Sequence, residues 1–142
     1  MPTANRVITD SGIKPFSVEN RASLGRRAEK AAVNFLRSNG YGIIQTDYRV
    51  RAGQIDIIAR DKNTICFVEV KARRSARFGS PGEAVEAAKQ RKISKVALMF
   101  LKQQKLLNSP ARFDVVSISY FQTQPAIRLI KNAFNLDSRY LY

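Results

Sequence analysis

Between residues 18 and 38, apolar side chains recur at Leu24, Ala28, Ala31, Ala32, Phe35 and Leu36, and Asn39-Gly40 follows. That spacing predicts a first helix closed by a left-handed stop. Three runs rich in Ile and Val come next, at about 42–49, 54–60 and 64–71, separated by Arg51-Ala52-Gly53 and Asp61-Lys62-Asn63. Links so short predict antiparallel hairpins. A Gly and Pro cluster, Phe78-Gly79-Ser80-Pro81-Gly82, then breaks the chain before a helical stretch over about 83–107. Its stripe is Val85, Ile93, Val96, Ala97, Phe100 and Leu107, with Arg91, Lys92, Lys95, Lys102 and Lys105 on the other side. A strand at 112–120 and a short one at 127–130 precede an irregular aromatic tail. The order is αβββαβ, an α/β fold with a mixed central sheet flanked by helices. Residues 1–17 are polar and aperiodic and read as a flexible arm, leaving 18–142 as one domain.

Composition adds a partner to this picture. Twenty-five Lys and Arg against eleven Asp and Glu give a net charge of +14, with a pI near 10.5. A nucleic-acid partner explains such a balance best; a ribosome-associated or merely basic protein and a membrane-surface binder are the alternatives. No run is long enough to span a bilayer and no secretory stretch opens the chain, so the expected location is the cytoplasm, with no membrane partner. A lone Cys66 within an apolar run reads as a core residue. The chain has no His, which excludes His-based acid–base chemistry, a Ser-His-Asp triad and His-liganded zinc.

Two of the predicted strands carry the candidate chemistry. In Ile65-Cys66-Phe67-Val68-Glu69-Val70-Lys71, alternation puts Glu69 and Lys71 on one side and Val68 and Val70 on the other. Asp56, among isoleucines in the preceding run, needs a cation, and a hairpin brings it beside Glu69. Two carboxylates with a lysine at hand suit Mg²⁺ or Mn²⁺ and metal-assisted phosphodiester hydrolysis. Just after them Arg73, Arg74 and Arg77 form a basic run toward the Gly-rich loop, and Arg51 stands in the first hairpin turn. Lys89 shares a helical angle with Leu107 on the apolar stripe, which aims its ammonium at the sheet. These five cations are the candidate nucleic-acid contacts.

Asp56 followed by Glu69-Val70-Lys71 after 13 residues resembles the D…(D/E)xK signature of the PD-(D/E)xK, restriction-endonuclease-like superfamily. More closely, Leu24-Gly25 with Ala28-Glu29, Gly53 to Ala59, Phe67 to Lys71, Phe78-Gly79 with Glu83-Ala84-Val85, Arg112 to Val116 and Ile130 to Phe134 resemble the YraN-type family of predicted nucleases, over about 21–135. The resemblance implies a fold like that of Holliday-junction resolvases and a metal-dependent endonuclease acting on DNA, with branched DNA as one substrate and a homodimer open. It implies that Asp56, Glu69, Glu29 and the Val70 carbonyl hold metal and that Lys71 serves the attacking water. Glu29 lies at the flank of the first helix's apolar stripe, away from the wet side of Arg26, Lys30 and Arg37. One departure stands out, since the family carries Glu where this chain has Gln54.

Plainer readings stand beside these. Glu69 and Lys71 alone would make an ordinary same-face ion pair, Asp56 a strand-end residue bonding amides, Glu29 a solvated helix residue, and Lys89 a snorkelling stem. Asp114, beside Arg112, reads as that arginine's structural partner. At the level of function the rival is a nucleic-acid-binding module that kept the fold without turnover; an RNA-binding protein of ribosomal type comes last, because it leaves Asp56 unexplained.

Overall fold

The computed structural model describes residues 20–74, 86–121 and 123–135. The 1–17 arm, Arg77, the 78–82 loop, Val85 and the tail after residue 135 lie outside these described residues. Helix α1 spans Arg21–Ser38; strands β1 (Gly42–Val50), β2 (Gly53–Asp61) and β3 (Thr64–Arg73) follow, then helix α2 (Ala87–Gln103) and strands β4 (Ala111–Ser119) and β5 (Ala126–Phe134). One five-stranded sheet runs in that same order. The β3–β4 pair is parallel and the other three pairs are antiparallel. A parallel pair cannot close through a hairpin, and α2 is its crossover. The αβββαβ core expected from the sequence, with β5 added at the edge, is therefore the observed one.

The two helices cover opposite faces. Along β3, Ile65 and Phe67 pack with Ile93, Val96, Ala97 and Phe100 of α2. Cys66 and Val68 pack instead with Ala28, Ala32 and Leu36 of α1. Because β3 is central it is buried on both sides, which is why it reads as a continuous apolar run. Glu69 and Lys71 continue the Phe67 side by alternation, and Val70 continues the α1 side, where it borders that core.

Both helices end in the same hydrogen-bond pattern, on different residues. After α1, Gly40 takes the left-handed position (φ 87°), Gly40 N–H bonds Arg37 O, and Tyr41 N–H bonds Leu36 O before the ring packs in the core. After α2, Lys105 takes that position (φ 58°), with Lys105 N–H on Lys102 O and Leu106 N–H on Leu101 O. This is a Schellman turn without glycine. It corrects the expected helix end at 107: α2 stops at Gln103, Leu106 returns to the core, and Leu107 is 55% exposed.

The last strand is also longer than expected. β5 continues past 130 to Phe134, whose ring stacks on Phe113 with centroids 4.6 Å apart. Its register shifts opposite Phe113 and Val115, where Asn132 is left-handed (φ 54°) and donates its N–H to Asp114 Oδ1 at 2.9 Å. A buried side chain from β4 holds the irregularity together, which no local pattern in β5 displays.

Candidate functional site

The β2–β3 ladder runs from Asp61 opposite Thr64 to Ile57 opposite Val68 and stops. At the next position Asp56 stands in for the main chain, its Oδ2 accepting the Val70 N–H at 2.9 Å. On the face turned to α2, Glu69 is 5% exposed, and its Oε2 meets two ammonium groups. Lys71 Nζ lies 3.5 Å away, and Lys89 Nζ, from the first turn of α2, makes the closer contact. Asp56 and Glu69 are also within hydrogen-bonding reach of each other.

Two carboxyls so close cannot both ionise without cost. Burial, then the Glu69 charge, pushes the Asp56 carboxyl up to about 7, against the pull of the Val70 amide. Burial lowers Lys71 despite Glu69. For Lys89, burial also works against the ammonium, but the hydrogen bond and charge of Glu69 outweigh it and raise the group. Asp56, Glu69 and Lys89 line a cavity of about 170 Å³ with Gly53, Gln54, Lys92 and Ile93. Gly53 has a φ of 154°, and a Cβ there would lie 3.2 Å from Val96 Cγ2. Glycine is what lets the β1–β2 turn approach α2 so closely.

Asp56, Glu69, Lys71 and Lys89 thus meet. Val70 joins them through its N–H. Glu29, partly buried on α1, acts at longer range: burial first, then Asp47, raises it, with Arg49 opposing and Glu69 adding. Among the described residues no three Asp, Glu, Cys or His side chains come close enough together to hold an ion unaided. The donor set that does converge is two carboxyls, which suits a hard cation that retains several waters. Arg51 is exposed in the β1–β2 turn, Arg73 ends β3 partly buried, and Arg74 is exposed after it.

Two residues were not singled out from the sequence for this site. Asp47, left-handed at φ 52°, accepts from Arg49 Nε and Gln54 Nε2, each at 2.9 Å. Counting back from Val50 opposite Gly53 sets it across from Asp56, so the hairpin register contained the signal. Lys92, assigned to the outward side of the helix, is exposed and yet lines the cavity one turn after Lys89. Gln54 answers the question raised by its identity: its amide nitrogen faces two carboxylates, Asp47 at 2.9 Å and Asp56 Oδ1 at 3.5 Å.

The family model described as "Uncharacterised protein family UPF0102" matches residues 28–118. The chain belongs to this family. It is the YraN-type family that the motifs resemble, and its matched span contains Asp56, Glu69, Lys71 and Glu29. A UPF0102 protein of Geobacter metallireducens is 48% identical over 121 residues, covering 85% of this chain and 98% of the relative. Another, from Caldicellulosiruptor saccharolyticus, is 47% identical over 118 residues, covering 81% and 99%. Likeness to solved structures is slight. A chain of the EndoMS-dsDNA2 complex gives a TM-score of 0.39 at 20% identity, covering 68% of this UPF0102 chain, which spans 37% of that one. Pyrococcus furiosus SfsA in complex with Ca²⁺ gives 0.37 at 12% identity, with 81% and 65% covered. No helix among the described residues is long and apolar enough to cross a membrane.

Proposed function

We propose that this UPF0102 chain is a Mg²⁺- or Mn²⁺-dependent endonuclease that binds DNA and hydrolyses a phosphodiester at the Asp56–Glu69–Lys71 site. The observation that carries the reading is the carboxyl pair at the end of the β2–β3 ladder, where Asp56 is pushed up to about 7 beside a buried Glu69. A structural ion pair would not bring a second carboxyl there. Asp56 and Glu69 would hold the cation with the Val70 carbonyl, and Glu29, at longer range, would add its charge to the field around them. When bound, a divalent ion polarises the phosphoryl group and lowers the pKa of a coordinated water. Lys71, lowered by burial, orients that water and takes or returns a proton at Nζ. The +14 charge draws the polyanion in, and Arg51, Arg73 and Arg74 hold backbone phosphates, with Arg77 of the same basic run as a further cation. Branched DNA is the substrate to try first, following the resolvase resemblance.

Single-stranded, duplex and branched DNA are incubated with protein and Mg²⁺ or Mn²⁺. Cleavage is expected for the wild type, undetectable for Asp56→Asn and Glu69→Gln, and lower by about 100-fold for Lys71→Ala. Cleavage that survives all three changes would remove the site assignment.

A second reading, a non-catalytic DNA-binding module, has one observation in its favour: Lys89 already closes the Glu69 carboxylate as an ion pair. Under it, DNA affinity persists with no Mn²⁺ heat and no response to Asp56→Asn.

A further inference from the structure

One oxygen of the site carries more positive charge than it needs. Glu69 Oε2 is contacted by both Lys71 and Lys89, while Asp56 beside it takes its hydrogen bonds from the Val70 and Gln54 amides. Either lysine alone would neutralise Glu69. The two differ in how they are held. Lys71 is fixed on the central strand with its side chain 25% exposed, whereas Lys89 reaches in from the first turn of a surface helix with its side chain 44% exposed. Lys89 can turn outward without disturbing the sheet.

We propose that Lys89 is a tethered cation that occupies the Glu69 carboxylate in place of a divalent ion, and that ion binding turns its ammonium outward onto a DNA phosphate. The inference rests on the divalent-cation reading above and assigns Lys89 a role in that site as a positioning residue. An ammonium and a hard cation compete for the same carboxylate lone pairs, and the divalent ion, at roughly 2.0 to 2.1 Å with twice the charge, displaces it. Until then Lys89 shares with Lys71 the neutralising of a buried carboxylate. Once displaced, the ammonium is repelled by the ion that replaced it. Its four-carbon stem keeps it at the cavity, where Lys92 also stands and where a phosphate held by the ion would be the nearest anion.

Calorimetric titration of the full chain with Mn²⁺ tests this, comparing wild type with Lys89→Met, Lys89→Gln, Lys89→Arg and Lys71→Met, each checked for folding by circular dichroism. Removing a competitor is expected to tighten Mn²⁺ binding by about tenfold in Lys89→Met and Lys89→Gln, with Lys89→Arg near wild type and Lys71→Met changed less. Duplex DNA affinity in Mn²⁺ should fall for Lys89→Met, and its salt slope should flatten by about 0.9, one phosphate contact. Mn²⁺ affinity in Lys89→Met equal to or weaker than wild type would overturn the exchange, while wild-type Mn²⁺ heat would leave the divalent site standing. Heat in neither protein would remove both.

Discussion

Strand β2 carries a charged group near each end, and the two ends are built on opposite electrostatic plans. Asp61 sits at the closed end, roughly 16 Å from Asp56 at 3.3 Å per residue. There Arg112 donates from Nε to both oxygens of Asp114 at 3.0 and 3.1 Å, and from a terminal nitrogen to Asp61 at 2.8 Å and the Tyr41 hydroxyl at 2.9 Å. Asp114 is fully buried and takes the Asn132 N–H as well. The Arg112 hydrogen bond holds the Asp61 carboxyl below its ordinary range, against burial. At the open end, two carboxyls face each other, one pushed up to about 7, and two lysines crowd a single oxygen. The first cluster satisfies every charge it buries and serves the fold. The second is left unfavourable, as a site that waits for a cation or a proton would be.

The largest way to break this contrast is at the closed end. Asp114→Ala leaves the Arg112 guanidinium with Asp61 and the Tyr41 hydroxyl and frees the β5 irregularity, so unfolding in urea should show a loss of about 4 kcal/mol, the cost of breaking a buried ion pair. A loss within experimental error would mean the cluster is not what holds β4 to β5. The open end should respond with the opposite sign. A carboxyl raised in the folded state destabilises once ionised, so stability should fall as pH rises from about 3.8 toward 7 and flatten above. Asp61, lowered, contributes above its unfolded value and loses that contribution as pH falls through its folded one. Asp56→Asn keeps an acceptor for the Val70 N–H and offers Glu69 a donor. At pH 8 it should be more stable than wild type by about 2 kcal/mol and lose the slope between pH 4 and 7. A less stable variant at pH 8 would show that the pair is not strained.

How far each end could be read from sequence follows from how local its causes are. α1 closes on Gly40, the residue type that the left-handed position favours, and its boundary is legible; α2 closes on Lys105 in the same conformation, so the apolar stripe reads on to Leu107, which lies outside the helix. The Glu69 and Lys71 side is fixed by strand alternation, a property of seven adjacent residues. Lys89 was aimed at the sheet by its helical angle, while its partner depended on where α2 crosses β3, which no angle supplies. Asp47 needs only the two-residue hairpin turn counted out to the fourth pair. The length of β5 lay out of reach, because it rests on a side chain from β4 18 residues earlier in the chain.

Gln54 offers the smallest and sharpest change, since it alters the open end without touching a group that holds Glu69. Its amide donates to Asp47 and Asp56 together, and a glutamate there could donate to neither. In Gln54→Glu the two acceptors lose a shared donor and gain a third like charge in a partly exposed setting. Stability at pH 7.5 should drop by about 1 kcal/mol, the cost of one lost hydrogen bond. With that third carboxylate beside Asp47 and Asp56, millimolar Mn²⁺ should recover the loss, stabilising Gln54→Glu by more than it does the wild type. Asp114→Ala, measured alongside, should gain no more than the wild type does. Equal Mn²⁺ stabilisation of Gln54→Glu and wild type would place the added carboxylate outside the ion's reach and leave Asp56 and Glu69 as its carboxylate partners.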